Sequence, residues 1–171
     1  IYYSGQPADE FANKVSMIQL GEPEPAKHIG QADVGNADHQ GLEKTAISRG
    51  DILARENTLV PSFMVDLEMH FLSSNKKPIK NRTRVRFHTG TSEIMGNLIL
   101  LDREELAAGQ TCVAQIRLDA PVSLVRDDRF VVRSYSPVRT IGGGKVINPI
   151  PVKHKRFQQD VVDALDSLAE A

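Results

Sequence analysis

The sequence predicts a mainly β fold, with short antiparallel strands closed into a barrel or packed as a sandwich, and one helix at the C-terminal end. Three observations predict it. Apolar and polar residues alternate with period two through the middle of the chain. Turn residues recur between the alternating runs. Beyond Phe157 the apolar spacing changes to that of a helix.

The first 55 residues are the least regular. Asn13 to Leu20 reads as a strand, Glu22 to Pro25 as a proline-punctuated loop, and Gly41 to Gly50 as a connection into a short strand, Asp51 to Ala54. Pro61 marks a module boundary. In Phe63 to Phe71, the side chains of Phe63, Val65, Leu67, Met69 and Phe71 form one apolar face, and Asp66, Glu68 and His70 the other. Arg82 to His88 alternates too, breaks at Gly90 and resumes from Ile94 to Leu101. Thr111 to Leu118 and Arg129 to Arg133 add further strands. Turns are expected at Asn75 to Pro78, Ala108 to Gln110, Asp119 to Pro121 and Asp127-Asp128. The pattern implies part of a first β module, a complete second one, and a linker around Asn148 to Lys155. A helix then carries Phe157, Val161, Ala164, Leu165 and Leu168 on its apolar face. That face needs a partner, either the barrel or a domain outside this chain.

Composition removes several classes. The chain has 171 residues, 40% of them hydrophobic, and no Trp. No apolar run approaches the roughly 20 residues that span a bilayer, and Pro7, Asp9 and Glu10 rule out a signal-peptide pattern. Ile1 in place of Met reads as an excised fragment. Cys112 is the single cysteine, so no internal disulfide forms, which suits a reducing compartment. It sits in an alternating run with no His beside it, and is expected to be a small buried hydrophobe.

The net charge of −1 hides a polarised chain. Residues 1–70 carry 11 acidic against 5 basic residues, a balance of −6; residues 71–156 carry 7 against 16, or +9; the last fifteen carry four acids and no Lys or Arg. A cationic block of this kind attracts a polyanion.

No catalytic constellation emerges. Gly142-Gly143-Gly144-Lys145-Val146 lacks the spacing and the Ser/Thr of a phosphate loop, and is expected to be a tight turn with close backbone approach. The histidines at 28, 39, 70, 88 and 154 have no ligand spacing among themselves or with Cys112. Asp102, Glu104 and Glu105 read as a solvated turn. Catalytic residues, metal ligands and bound cofactors are therefore expected to be absent from this chain.

The strongest signal is basic. Between Glu68 and Glu93 there is no carboxylate, while Lys76, Lys77, Lys80, Arg82, Arg84, Arg86 and His88 are all present. On one strand Arg82, Arg84, Arg86 and His88 share a face, and Thr83, Val85 and Phe87 take the other. A second carboxylate-free run, Arg129 to Gln159, adds Arg133, Arg139 and Lys145. One reading is a surface that meets phosphates, since guanidinium forks match phosphate oxygens. The other is a solvated barrel wall whose arginines pair with acids from other strands. Aromatics are not interleaved with the arginines, which favours backbone and shape recognition of a folded RNA over single-strand stacking.

Three segments carry a family resemblance. Lys80 to Glu93 (KNRTRVRFHTGTSE), Leu101 to Leu106 (LDREEL), and Asp128 to Pro137 followed by Arg139 to Gly144 resemble, in order, the third domain of the bacterial selenocysteine-specific elongation factor. Arg49 to Leu53 resembles the closing strand of that family's second domain, the counterpart of domain two of elongation factor Tu. The resemblance implies tandem antiparallel β-barrels of the elongation-factor type: an incomplete one over 1–58, a domain-three-like one over 59–149, and over 150–171 a linker with the first helix of a winged-helix region. It implies a cytoplasmic GTPase that delivers selenocysteyl-tRNA to the ribosome at UGA codons marked by an mRNA hairpin. GTP and Mg would belong to a domain that this chain lacks. The implied RNA-contacting set is Arg82, Arg84, Arg86, His88, Arg133, Arg139 and Lys145. The alternative is a structural or protein-interaction barrel of another translational GTPase. The region before Gly41 departs from the family, and Ala32 stands after Gly30-Gln31 where the family commonly has an Arg facing the aminoacyl group.

Overall fold

The computed structural model describes residues 49–52, 54 and 58–170. The expected first module over 1–58 lies almost wholly outside them, and so do the strand at Asn13 to Leu20 and Ala32. One barrel is therefore described, not two. Its elements in order are β1 (Ser62–Phe71), β2 (Ile79–Lys80), β3 (Thr83–Thr89), β4 (Ser92–Leu100), β5 (Glu105–Leu106), β6 (Thr111–Val122), β7 (Arg129–Ser134), β8 (Thr140–Asn148) and α1 (Gln159–Glu170).

Six strands close into an antiparallel barrel in the order β1-β6-β4-β3-β7-β8, with β8 pairing back onto β1. Strands β2 and β5 form a separate two-stranded ribbon. Alternation explains the closure. Val65, Leu67, Met69, Val85, Phe87, Leu98, Ala114, Ile116 and Val132 all turn inward and are fully buried. Phe87 stacks on Phe130 with ring centroids 5.2 Å apart. Burying a Phe or Leu of this kind contributes roughly 2–3 kcal/mol.

Phe63 leaves the inward set: it is 55% exposed. The register between β1 and β6 slips between Ser62 and Met64, where two steps along β1 meet five along β6. The slack falls on the Asp119–Pro121 stretch expected to be a turn, which is instead an irregularity inside β6. Pro121 has no N–H to give a ladder, so a bulge suits it.

The three glycines expected in a tight turn lie in the interior of β8. Their close backbone approach is real, however. A Cβ at Gly142 would sit 2.6 Å from the His70 carbonyl oxygen, and one at Gly144 only 1.9 Å from that of Glu68. No side chain fits into the β1–β8 seam at either position.

A second apolar layer lies outside the barrel. Ile99, Leu101, Val113 and Ile147 pack with Val162, Leu165 and Ala169 of α1. The helix thus uses a face shifted from the expected one: Leu165 and Val161 are common to both, while Ala164 and Leu168 are exposed. Phe157 is no part of the helix; it precedes it with φ 60° and its ring lies under the Arg156 guanidinium, 4.5 Å away. The partner of the helix face is the barrel itself.

The stretch read as a linker is docked as well. Gln115 donates to Val152 O at 2.9 Å and to Asp66 Oδ1 at 2.9 Å, and His154 Nε2 lies 2.8 Å from Asp66 Oδ2. Arg156 donates to Leu100 O and Arg103 O and pairs with Glu104. Asp66, expected on a polar outer face, is completely buried beneath this segment.

Candidate nucleic-acid interface

The outer wall of β3 presents Arg84, Arg86 and His88, because Val85 and Phe87 take the interior. Arg82 does not join the row. It precedes β3 in a turn with φ 62°, exposed, its N–H bonded to Leu98 O. Neighbouring strands extend the wall sideways. On β7, Arg133 stands directly opposite Arg86 and Val131 opposite His88. On β4, Met95 faces Arg86 and Glu93 faces His88.

Two members of the row are paired with acids from other strands, although no carboxylate lies between Glu68 and Glu93 in the sequence. Arg84 forms a two-pronged pair with Asp119 of β6, and Arg86 Nη1 lies 2.5 Å from Glu93 Oε1. Both carboxylates come from strands that the linear charge pattern could not place beside β3. The pairing pulls Asp119 and Glu93 below the usual carboxylate range. Both are exposed, so each pair contributes little to stability.

Compensation is nonetheless incomplete. Arg133 makes no ion pair among the described residues, yet it faces Arg86, and like charges directly opposite destabilise a sheet. Arg86 Nε, Arg133 Nε and His88 Nε2 are shielded and have no hydrogen-bond partner among the described residues. Partial burial lowers the His88 pKa, and the charges of Arg133 and Arg86 lower it further against a raising influence from Glu93.

The remaining expected residues diverge. Arg139 sits in the β7–β8 connection, exposed and free of ion pairs among the described residues. Lys145 lies opposite Arg129, but its ammonium turns to Ala169 O at the C-terminal end of α1, 3.9 Å from Asp127 Oδ1. It serves the helix end, where a cation is favourable. Sequence reading missed Tyr135, whose ring lies beneath the Arg86 guanidinium at 5.8 Å. Its position in an apparent loop hid the pairing.

Cys112 is buried in the core, and desolvation pushes its thiol up to about 12. Among the described residues no group of three or more His, Cys, Asp or Glu could hold a metal ion. No described helix is long and apolar enough to cross a membrane.

A family model described as the β-barrel domain of the selenocysteine-specific elongation factor matches residues 66–153. The chain is 44% identical over 131 residues to the selenocysteine-specific elongation factor of Desulfomicrobium baculatum, covering 77% of this chain and 20% of that protein. It is 30% identical over 124 residues to the protein of that name from Haemophilus influenzae, covering 72% and 19%. The chain thus spans about a fifth of the length of these relatives.

Proposed function

Since the chain belongs to the selenocysteine-specific elongation factor family through its β-barrel domain, we propose that the wall of β3 and β7 binds the phosphate backbone of selenocysteyl-tRNA. The carrying observation is Arg133 facing Arg86, with one carboxylate, Glu93, paired to Arg86. An anion placed between the two guanidiniums relieves their repulsion. Arg84 and His88 flank that position and Arg139 extends it; Arg82 adds charge at the end of the wall.

In this reading the whole factor is a cytoplasmic GTPase, with GTP and Mg on another domain and the ribosome and an mRNA hairpin as further partners. The barrel is its domain three, residues 1–58 belong to domain two, and α1 opens the winged-helix region. The barrel's part is to hold the tRNA while chemistry proceeds elsewhere.

Titration of the chain with tRNA across a salt series tests this. Log affinity should fall linearly with log salt, and Arg133→Gln should weaken binding and reduce the slope by about one. Negligible binding at low salt would reject it. The Arg84–Asp119 and Arg86–Glu93 pairs favour a second reading, a structural barrel with no RNA contact. Under that reading Arg84→Glu with Arg86→Glu leaves tRNA affinity unchanged, whereas under the first it abolishes RNA binding, with thermal unfolding confirming that the variant is folded.

A further inference from the structure

A groove of about 480 Å³ opens at the end of the barrel beside the β7–β8 connection. Its size lies within the roughly 300–1,000 Å³ of small-molecule sites. Phe71, Ile79 and Ile141 contribute an apolar floor, and Tyr135, 57% exposed, contributes a wall. Lys77, Lys80 and Arg139 stand at the groove without an ion pair among the described residues, and none of its lining residues is Asp or Glu.

We infer that this groove takes one unstacked nucleobase of a bound RNA, stacked on Tyr135, with the flanking phosphates held by Lys77, Lys80 and Arg139. The inference rests on the RNA-binding reading and adds a base to what is otherwise a backbone surface. The chemistry is a joint one. An apolar floor and an exposed aromatic ring suit a planar, weakly hydrated base. A ring of cations without carboxylates suits the phosphates on either side and repels a basic peptide. Tyr135 links the two surfaces, since Arg86 of the β3 wall lies over the same ring that borders the groove.

The test compares two RNA hairpins, identical except that one carries a single bulged 2-aminopurine. The full 171-residue chain should prefer the bulged hairpin and quench its fluorescence on binding. Tyr135→Ala should lose that preference, on the order of 10-fold, and the quenching with it. Tyr135→Phe should keep both. Unchanged thermal unfolding of the variants shows that the fold is intact, as expected for an exposed ring. Equal binding of both hairpins by the unaltered chain, or an unchanged preference in Tyr135→Ala, overturns the groove assignment while leaving the backbone reading standing. Failure to bind either hairpin overturns both. Occupation of the groove by a polyglutamate peptide, displaced by neither hairpin, also overturns it.

Discussion

Asp66 and His154, 88 residues apart, meet at 2.8 Å beneath the segment that leads from the barrel to the helix. The carboxyl is completely buried and His154 nearly so. Burial raises the Asp66 pKa, and the hydrogen bonds from His154 and Gln115 pull it back down. A carboxyl whose pKa rises on folding stabilises most below its unfolded value and loses that contribution as pH climbs through its folded value. Removing His154 lifts the folded value further. His154→Ala is therefore expected to cost roughly 2–3 kcal/mol at pH 7, with the loss shrinking as pH falls toward 4. Urea unfolding at the two pH values measures the difference, and an equal loss at both contradicts the linkage.

Gly144→Ala should be among the most damaging single changes in the barrel. The added carbon would lie 1.9 Å from the Glu68 carbonyl oxygen, a backbone atom that cannot swing aside. The β1–β8 seam has to open, at about 3 kcal/mol or more. Gly90→Ala is the control. It meets nothing within 4 Å and suffers only from its φ of 51°, for about 1 kcal/mol. Thermal unfolding of the two proteins should separate them clearly.

His88 offers a pH signature for RNA contact. Its pKa is lowered chiefly by burial, then by Arg133 and Arg86. In the unbound protein a lowered histidine stabilises above its unfolded value and loses that as pH falls through the folded one. A phosphate placed beside it reverses the bias and favours the imidazolium, so binding takes up a proton. Affinity should rise roughly threefold to tenfold as pH falls from 8 to 6, and His88→Gln should flatten that rise. A parallel dependence in the variant would place the titrating group elsewhere.

Cys112 should be silent toward maleimide in the folded protein. With its thiol near 12, thiolate at neutral pH is about a thousandfold scarcer than for an ordinary cysteine. Labelling should appear only with global unfolding, following the same denaturant midpoint as circular dichroism. Fast labelling in native buffer would mean that β6 opens by itself.

The barrel was legible wherever one face is dry and the other wet. Val85 and Phe87 against Arg84 and Arg86 is such a case, and β3 falls where the alternation puts it. The pattern failed where two layers cover one strand. Asp66 reads as solvent-facing and is buried, because the docked tail covers that part of the outer wall. Phe63 reads as core and is exposed, because a register slip breaks the period of two. The arginine row was visible, but its counterions were not. Asp119 lies 35 residues from Arg84 and Glu93 seven from Arg86, and only strand pairing brings either close. Charge along a chain shows what must be neutralised; topology decides by what.

Each of the six barrel strands has a hydrogen-bonded neighbour on both sides, so the ring presents no open backbone border. Another chain cannot extend such a sheet by adding a strand, which removes a common route to fibrils and swapped dimers. Contact with a partner then depends on side chains alone, among them Arg84, Arg86 and Arg133 fixed on barrel strands. Little ordering should accompany it, and calorimetry should return a heat-capacity change near that expected for the buried contact area alone.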